Sequence, residues 1–168
     1  MTEVHKPIRV LMVCLGNICR SPTAEAALRH RVEQAGLEAL IEIDSAGTSD
    51  WHQGQQPDTR SIVHAGKRRY DLSGLRARRI TPEDFADFDY VLAMDAQNLK
   101  DLEAQCPEPL RHKLALYLEE GVAGYREVPD PYQGGAEDFE LVLDLCETAS
   151  EKLLARLRKT HFTDRADD

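Results

Sequence analysis

The sequence predicts an α/β fold: a three-layer sandwich in which a four-stranded parallel sheet is flanked by helices. Three observations carry this. Four short apolar runs, at residues 8–13, 40–43, 89–94 and 113–118, alternate with segments of helical periodicity, the pattern of a parallel sheet with crossover helices. The chain has 168 residues, enough for one well-packed domain spanning 1–168 and too few for two comfortable ones. A loop rich in chemistry directly follows the first run, where open α/β sheets bind ligands, beyond the strand C-termini.

The run Ile8-Arg9-Val10-Leu11-Met12-Val13 is short and β-branched and reads as a buried strand. Ser21 then reads as an N-cap and Pro22 as the first residue of a helix, since proline there loses only an N–H that would be orphaned anyway. That helix runs to about Ala35, with Ala24, Leu28, Val32 and Ala35 on one stripe and Gly36 as its terminator. Leu40–Ile43 forms the second strand and leads to Asp44-Ser45-Ala46-Gly47-Thr48 and a loop with Trp51. Asp58 caps a helix reaching about Arg69, whose last residues, Lys67, Arg68 and Arg69, complement the helix dipole. Thr81-Pro82 opens a short helix, Asp89–Met94 is the third strand, and Asp95 caps the helix that Pro107 stops. Lys113–Leu118 is the fourth strand. The last helix, about Ala136 to Arg158, carries Phe139, Val142, Cys146, Ala149, Leu153 and Leu157 at spacings of three and four. Thr163–Asp168 reads as a frayed polar tail.

The formal net charge is −9, which argues against nucleic acid as a partner, because such proteins carry an excess of Lys and Arg. Attraction for an anion must therefore be local. Four cysteines in a chain of this length do not make a disulfide scaffold. The N-terminus lacks the apolar core of a signal peptide and no run is long enough to span a membrane, so a cytoplasmic, non-membrane location is expected. Cys106 and Cys146 lie on helical apolar stripes and read as core residues.

The chemistry concentrates in Cys14-Leu15-Gly16-Asn17-Ile18-Cys19-Arg20-Ser21. A tight loop between a strand and a helix N-terminus turns backbone N–H groups toward one point, beside the positive end of the helix dipole. Arg20 adds a planar fork able to hold two phosphoryl oxygens. The same field favours the thiolate of Cys14. A nucleophile thus sits under an oxyanion cradle. Half of a metal site is the competing reading, but neither Cys106 nor Cys146 has a close Cys or His partner, so no metal and no cofactor are expected. Asp130-Pro131-Tyr132 is a turn dipeptide by itself. Beside an anion loop, its carboxyl could protonate a departing oxygen and later activate water.

The string CLGNICRSPTAEA, with five residues between Cys14 and Arg20, resembles the signature of the low-molecular-weight protein tyrosine phosphatase family. The resemblance covers nearly the whole chain and implies the same four-stranded sheet, with the phosphatase loop after the first strand. It implies hydrolysis of phosphotyrosine in proteins, and of small aryl phosphates, through a phosphocysteine intermediate. Cys14 would be the nucleophile, Arg20 the anion clamp and Asp130 the general acid. Leu15, Gly16, Asn17, Ile18, Cys19 and Ser21 would line the phosphate site, with Ser45 supporting Asn17. Ser21 would stabilise the thiolate and Cys19 could form a protective disulfide with Cys14. Trp51 and Tyr132 resemble aromatic walls around a substrate ring, although Trp51 could equally be a core anchor. Gln133 departs from the family, where many members carry a second aromatic. Partners so implied are phosphate or other oxyanions in the loop and a phosphotyrosine-containing protein, tyrosine kinases included, with the chain a monomer or weak dimer. Three other readings compete with this one. An arsenate reductase of similar fold needs further thiols on a mobile segment, and residues 75–100 contain no Cys. A protein arginine phosphatase carries Thr at the position of Ile18. A non-catalytic phosphoprotein binder would have no use for both Cys14 and Asp130.

Overall fold

The computed structural model describes residues 6–162; the tail expectation for Thr163–Asp168 lies outside them. Strand β1 (Ile8–Cys14) is followed by helix α1 (Arg20–Gln34), β2 (Ile41–Gly47), α2 (Thr59–Lys67), α3 (Pro82–Asp87), β3 (Tyr90–Ala93), α4 (Ala96–Gln105), β4 (Leu114–Leu116) and α5 (Ala136–His161). The sheet order is β2-β1-β3-β4, and every neighbouring pair is parallel. A four-stranded parallel sheet with helices on its faces is therefore what the alternation of runs predicts.

β1 sits inside the sheet and is buried on both faces, which is why its sequence is almost unbroken apolar rather than alternating. Val10 and Met12 pack with Leu28 and Val32 of α1 and Val142, Leu145 and Leu153 of α5. Leu11 and Val13 pack the other way, with Phe85, Phe88 and Leu102. Met12 and Leu28 are fully buried, each worth roughly 1.5–3 kcal/mol relative to exposure.

Local signals hold at most helix starts. The Asp58 carboxylate accepts from the Arg60 N–H at 2.8 Å, and Asp95 accepts from the Asn98 N–H at 2.7 Å. Thr81 and Asp84 form a reciprocal capping box at α3. The start of α1 differs. It begins at Arg20 with Cys19 as N-cap and no side-chain cap, so Ser21 is not the cap. Its hydroxyl is engaged below the loop instead. The fourth strand is only Leu114–Leu116, because a 3-10 helix at Glu108–Lys113 occupies the preceding residues. Arg68 does more than complement a helix end: it pairs with Glu140, Asp144 and Glu147 at 2.7, 2.9 and 2.8 Å and so ties α2 to α5.

The strand order places the site. The chain leaves β1 for β2 on one side and returns to β3 on the other, so the C-terminal end of β1 is the point where the order reverses. Ligands in open parallel sheets bind at such a point. Residues 15–19 emerge there. In register Cys14 lies opposite Gly47, and a Cβ on Gly47 would come 2.7 Å from the Leu15 carbonyl oxygen. Only glycine lets the end of β2 run this close to the loop. The loop is then pinned by the Thr48 and Ser49 N–H groups, which donate to the Cys14 and Leu15 carbonyls at 2.9 and 3.0 Å.

Candidate active site

Cys14 ends β1 and is 3 % exposed. Its sulfur accepts the Asn17 N–H at 3.2 Å and lies 3.0 Å from the Ser21 hydroxyl. Asn17 takes the left-handed conformation, φ 58°, which Asn tolerates better than most side chains. That twist turns its own N–H back onto the sulfur. Its side-chain amide donates to Ser21 Oγ at 2.8 Å and to Ser45 Oγ at 3.0 Å, while Oδ1 accepts the Arg78 N–H at 3.0 Å.

These bonds have a direction. Both hydroxyl oxygens accept an N–H of the Asn17 amide, so each hydroxyl proton is free for another acceptor. Ser45 donates to Glu25 Oε1 at 2.6 Å, and the Ser21 hydroxyl has the Cys14 sulfur at 3.0 Å and the Ala46 carbonyl at 3.5 Å within reach. Glu25, 2 % exposed, is held in turn by Arg29 at 2.6 Å. Burial pushes the Glu25 carboxyl up, with the Ser45 hydroxyl and Arg29 pulling the other way.

Arg20 opens α1 and is 4 % exposed. Its Nη1 donates to Asp95 Oδ2 at 2.7 Å and to the Val128 carbonyl at 3.0 Å; Nη2 lies 3.8 Å from Asp130 Oδ2. Burial works against the guanidinium's charge, but Cys14, Asp95 and Asp130 outweigh it and its pKa is raised. Asp95 therefore has two roles, helix cap and holder of Arg20. Sequence reasoning finds only the first, because the ion pair spans 75 residues. Arg78 is missed for the same reason, bonding Asn17 across 61 residues; Glu25 and Arg29 form a local i,i+4 pair, but the contact that ties them to the site, Ser45 to Glu25, joins two separate elements. Among the described residues, no acceptor is found for the N–H groups of Gly16, Ile18 and Cys19, and the first turn of α1 contains no acidic residue.

A cleft of about 370 Å³ opens above this floor, lined by Cys14, Leu15, Gly16, Ile18, Cys19, Arg20, Trp51, His52, Asp130, Tyr132 and Gln133. Residues from three separate stretches of sequence thus meet in one place. Trp51 is 71 % exposed, so it is a wall of the cleft and not a core anchor. Tyr132, 43 % exposed, faces His52 across 6.4 Å between ring centroids. A Cβ on Gly16 would come 3.0 Å from His52 Cδ2, so glycine lets this wall close on the loop. Ile18 is buried among Cys19, Ala77 and Phe139. Burial pushes the Cys19 thiol up to about 12, against a lowering contact with Ser61. A larger cleft, about 450 Å³, lies against Arg9, Arg29 and Glu42 and contains no nucleophile.

The sequence pattern described as low molecular weight phosphotyrosine protein phosphatase matches residues 9–162. The chain belongs to this family. Similar to it are the low molecular weight phosphotyrosine protein phosphatase of Schizosaccharomyces pombe, 46 % identical over 80 % of this chain and 86 % of that one, and the low molecular weight protein-tyrosine-phosphatase of Streptomyces coelicolor, 43 % identical over 90 % and 94 %. A crystal structure of a protein tyrosine phosphatase from Entamoeba histolytica, with Hepes in its active site, superposes with a TM-score of 0.88 at 38 % identity, covering 91 % of this chain and 98 % of that one. Within this low-molecular-weight phosphatase fold, Gln133 lies at the cleft mouth beside Tyr132, and Cys106 and Cys146 are buried in the two core layers.

Proposed function

We propose that residues 1–168 act as one catalytic domain, a cysteine-dependent phosphomonoesterase that hydrolyses phosphotyrosine in proteins and small aryl phosphates. One observation carries the reading. The Cys14 sulfur sits 3.2 Å from the Asn17 N–H and 3.0 Å from the Ser21 hydroxyl, in a cleft that also holds Arg20 and Asp130. Nucleophile, anion clamp and acid share one cavity.

In the first step the Cys14 thiolate attacks phosphorus in line. Arg20 and the loop N–H groups hold the equatorial oxygens, where charge is spread in the transition state. The ester P–O bond breaks as the S–P bond forms, and the Asp130 proton goes to the departing phenolic oxygen. In the second step the Asp130 carboxylate takes a proton from water, whose oxygen attacks phosphorus. The S–P bond breaks, the thiolate is restored and inorganic phosphate leaves. The Asn17–Ser21 bond holds the Ser21 hydroxyl beside the sulfur, within reach of a thiolate there. Exposed Trp51 and Tyr132 suit an aryl group, whose faces they can cover; a single aromatic beside Gln133 grips it from fewer sides.

The thiolate also makes the enzyme redox-sensitive. Two-electron oxidation of the Cys14 thiolate by a peroxide, which is itself reduced to water or an alcohol, gives the sulfenic acid; the Cys19 thiol would then displace water from it and form a disulfide. A working thiolate suits a reducing compartment, so we place the enzyme in the cytoplasm. The test is turnover of a phosphotyrosine peptide. Cys14→Ser should abolish hydrolysis while vanadate still binds, because the cradle is backbone plus Arg20. Hydrolysis by Cys14→Ser above a few per cent of the wild-type rate would sink the covalent route.

A further inference from the structure

The loop carrying Asp130 runs from Val128 to the start of α5 and is tied at both ends. The Val128 N–H donates to the Met94 carbonyl at 2.8 Å, and the Val128 carbonyl accepts from Arg20 at 3.0 Å. At the far end the Gly135 N–H donates to Asp138 Oδ2 at 2.8 Å. In between, the loop folds on itself. The Tyr132 N–H donates to Asp130 Oδ1 at 3.1 Å, and the Gly134 N–H donates to the Pro131 carbonyl at 2.8 Å. Asp130, Pro131 and Tyr132 therefore move as one small unit, and wherever the Tyr132 backbone is held the Asp130 carboxyl follows.

That backbone is held from α2. Arg60 Nη2 donates to the Tyr132 carbonyl at 2.9 Å, and Nη1 reaches the Gly134 carbonyl at 3.5 Å. The guanidinium lies 5.5 Å from the Tyr132 ring centroid and 4.6 Å from that of Phe139. It is fixed by a fork to Asp58, with Nη2 2.9 Å from Oδ2 and Nε 3.1 Å from Oδ1. The Asp58 N–H in turn donates to the Ile18 carbonyl at 2.8 Å, inside the phosphate loop. A continuous chain thus runs Ile18–Asp58–Arg60–Tyr132, joining the loop that holds phosphate to the loop that holds the acid. A planar guanidinium with five donors can grip a carboxylate at two points and still serve two carbonyls, which the three donors of a lysine cannot match.

We infer that Arg60 is a positioning residue for proton transfer: gripped by Asp58, it sets the place of the Asp130 carboxyl over the phosphate loop. This rests on reading Asp130 as the acid. Arg60 itself makes no contact with the Cys14 sulfur and is not among the residues lining the cleft. Its removal should therefore act through the Asp130–Tyr132 unit: the part passing through the Tyr132 wall is shared by all aryl esters, and the part that depends on the leaving group passes through Asp130.

The test compares kcat/KM for phenyl phosphate, a poor leaving group, and p-nitrophenyl phosphate, a good one. Arg60→Ala, Arg60→Lys and Asp58→Asn are each made in the wild-type and Asp130→Ala backgrounds; Asp58→Asn keeps the helix cap while removing the charge. Misplacing a reacting group by about 1 Å can cost ~100-fold, and the loop keeps both end ties. Arg60→Ala should thus lose about tenfold on phenyl phosphate and less than about threefold on the nitrophenyl ester. Lys should fall between Ala and wild type, and vanadate affinity should stay within about twofold of wild type. In the Asp130→Ala background Arg60→Ala should cost no more than about threefold, and the same on both esters. Equal losses on the two esters, or an undiminished loss without Asp130, would overturn the role of Arg60 and leave the acid assignment standing. If Asp130→Ala alone slows both esters equally, the acid assignment fails and the role of Arg60 falls with it.

Discussion

Asn17 holds the phosphate loop in shape, and its removal gives a number that the geometry fixes in advance. Its side chain makes three hydrogen bonds, to Ser21, Ser45 and the Arg78 N–H, and it is 3 % exposed. At about 1 kcal/mol net each, they contribute roughly 3 kcal/mol. The backbone is left-handed, which costs a residue such as Ala about 1–2 kcal/mol and costs Gly almost nothing. Asn17→Gly should therefore lose about 3 kcal/mol and Asn17→Ala about 4–5 kcal/mol. In the upper part of the usual range of about 5–15 kcal/mol a domain survives either change at room temperature; at its lower end Asn17→Gly stays folded and Asn17→Ala is marginal. Urea unfolding of the wild type and both variants measures these losses, with an unchanged m-value showing that the unfolded states are comparable. Ala as stable as Gly would mean that the twist stores no strain. Losses under about 1 kcal/mol in both would mean that the three bonds do not hold the loop.

Three other outcomes follow from the same geometry. Asp95→Asn keeps the α4 cap and strips Arg20 of its nearer carboxylate; leaving that buried cation with only Asp130 at 3.8 Å should cost up to about 3 kcal/mol, and Asp95→Ala about 1 kcal/mol more for the cap, both read by urea unfolding. At pH 8 iodoacetamide should modify Cys14 and spare Cys19, whose thiol is pushed up to about 12 by burial, while mild peroxide should link the two; mass spectrometry finding Cys14 joined to Cys106 or Cys146 would exclude that pairing. Burial raises the Asp84 carboxyl, but hydrogen bonds from Arg78 and the Thr81 N–H outweigh it and the net direction is downward. The folded state then binds this proton less readily than the unfolded chain, so the stabilisation is complete above about pH 4 and fades as pH falls through the lower folded value. Asp84→Asn should accordingly be less stable than wild type at pH 6 and converge with it in acid; a constant gap down to pH 2.5 would rule the ion pair out as its source.

The features legible in the sequence alone are local in origin. Cys14 and Arg20 are six positions apart on one turn of chain, and a strand before them and a helix after them suffice to make an anion loop. Asp58, Thr81 and Asp95 act as caps because a cap bonds within three residues of itself. The stripe from Phe139 to Leu157 is buried throughout, as its spacing requires. The same local logic misplaces the start of α1: Ser21 is a good cap, but a hydroxyl bonded to Asn17 and to the Cys14 sulfur cannot also close a helix end. Local logic also cannot assign Trp51 to core or wall, because its neighbours in sequence say nothing of what covers it. The remaining parts of the site join distant residues: Arg20 to Asp95, Ser45 to Glu25, Arg60 to the Tyr132 carbonyl. Those contacts exist only once β1 lies between β2 and β3, for that order brings the ends of three strands to a single edge. Spacing along the chain determined which chemistry the loop can do; the order of the strands decided which side chains surround it, because charge pairs and hydrogen bonds act through space.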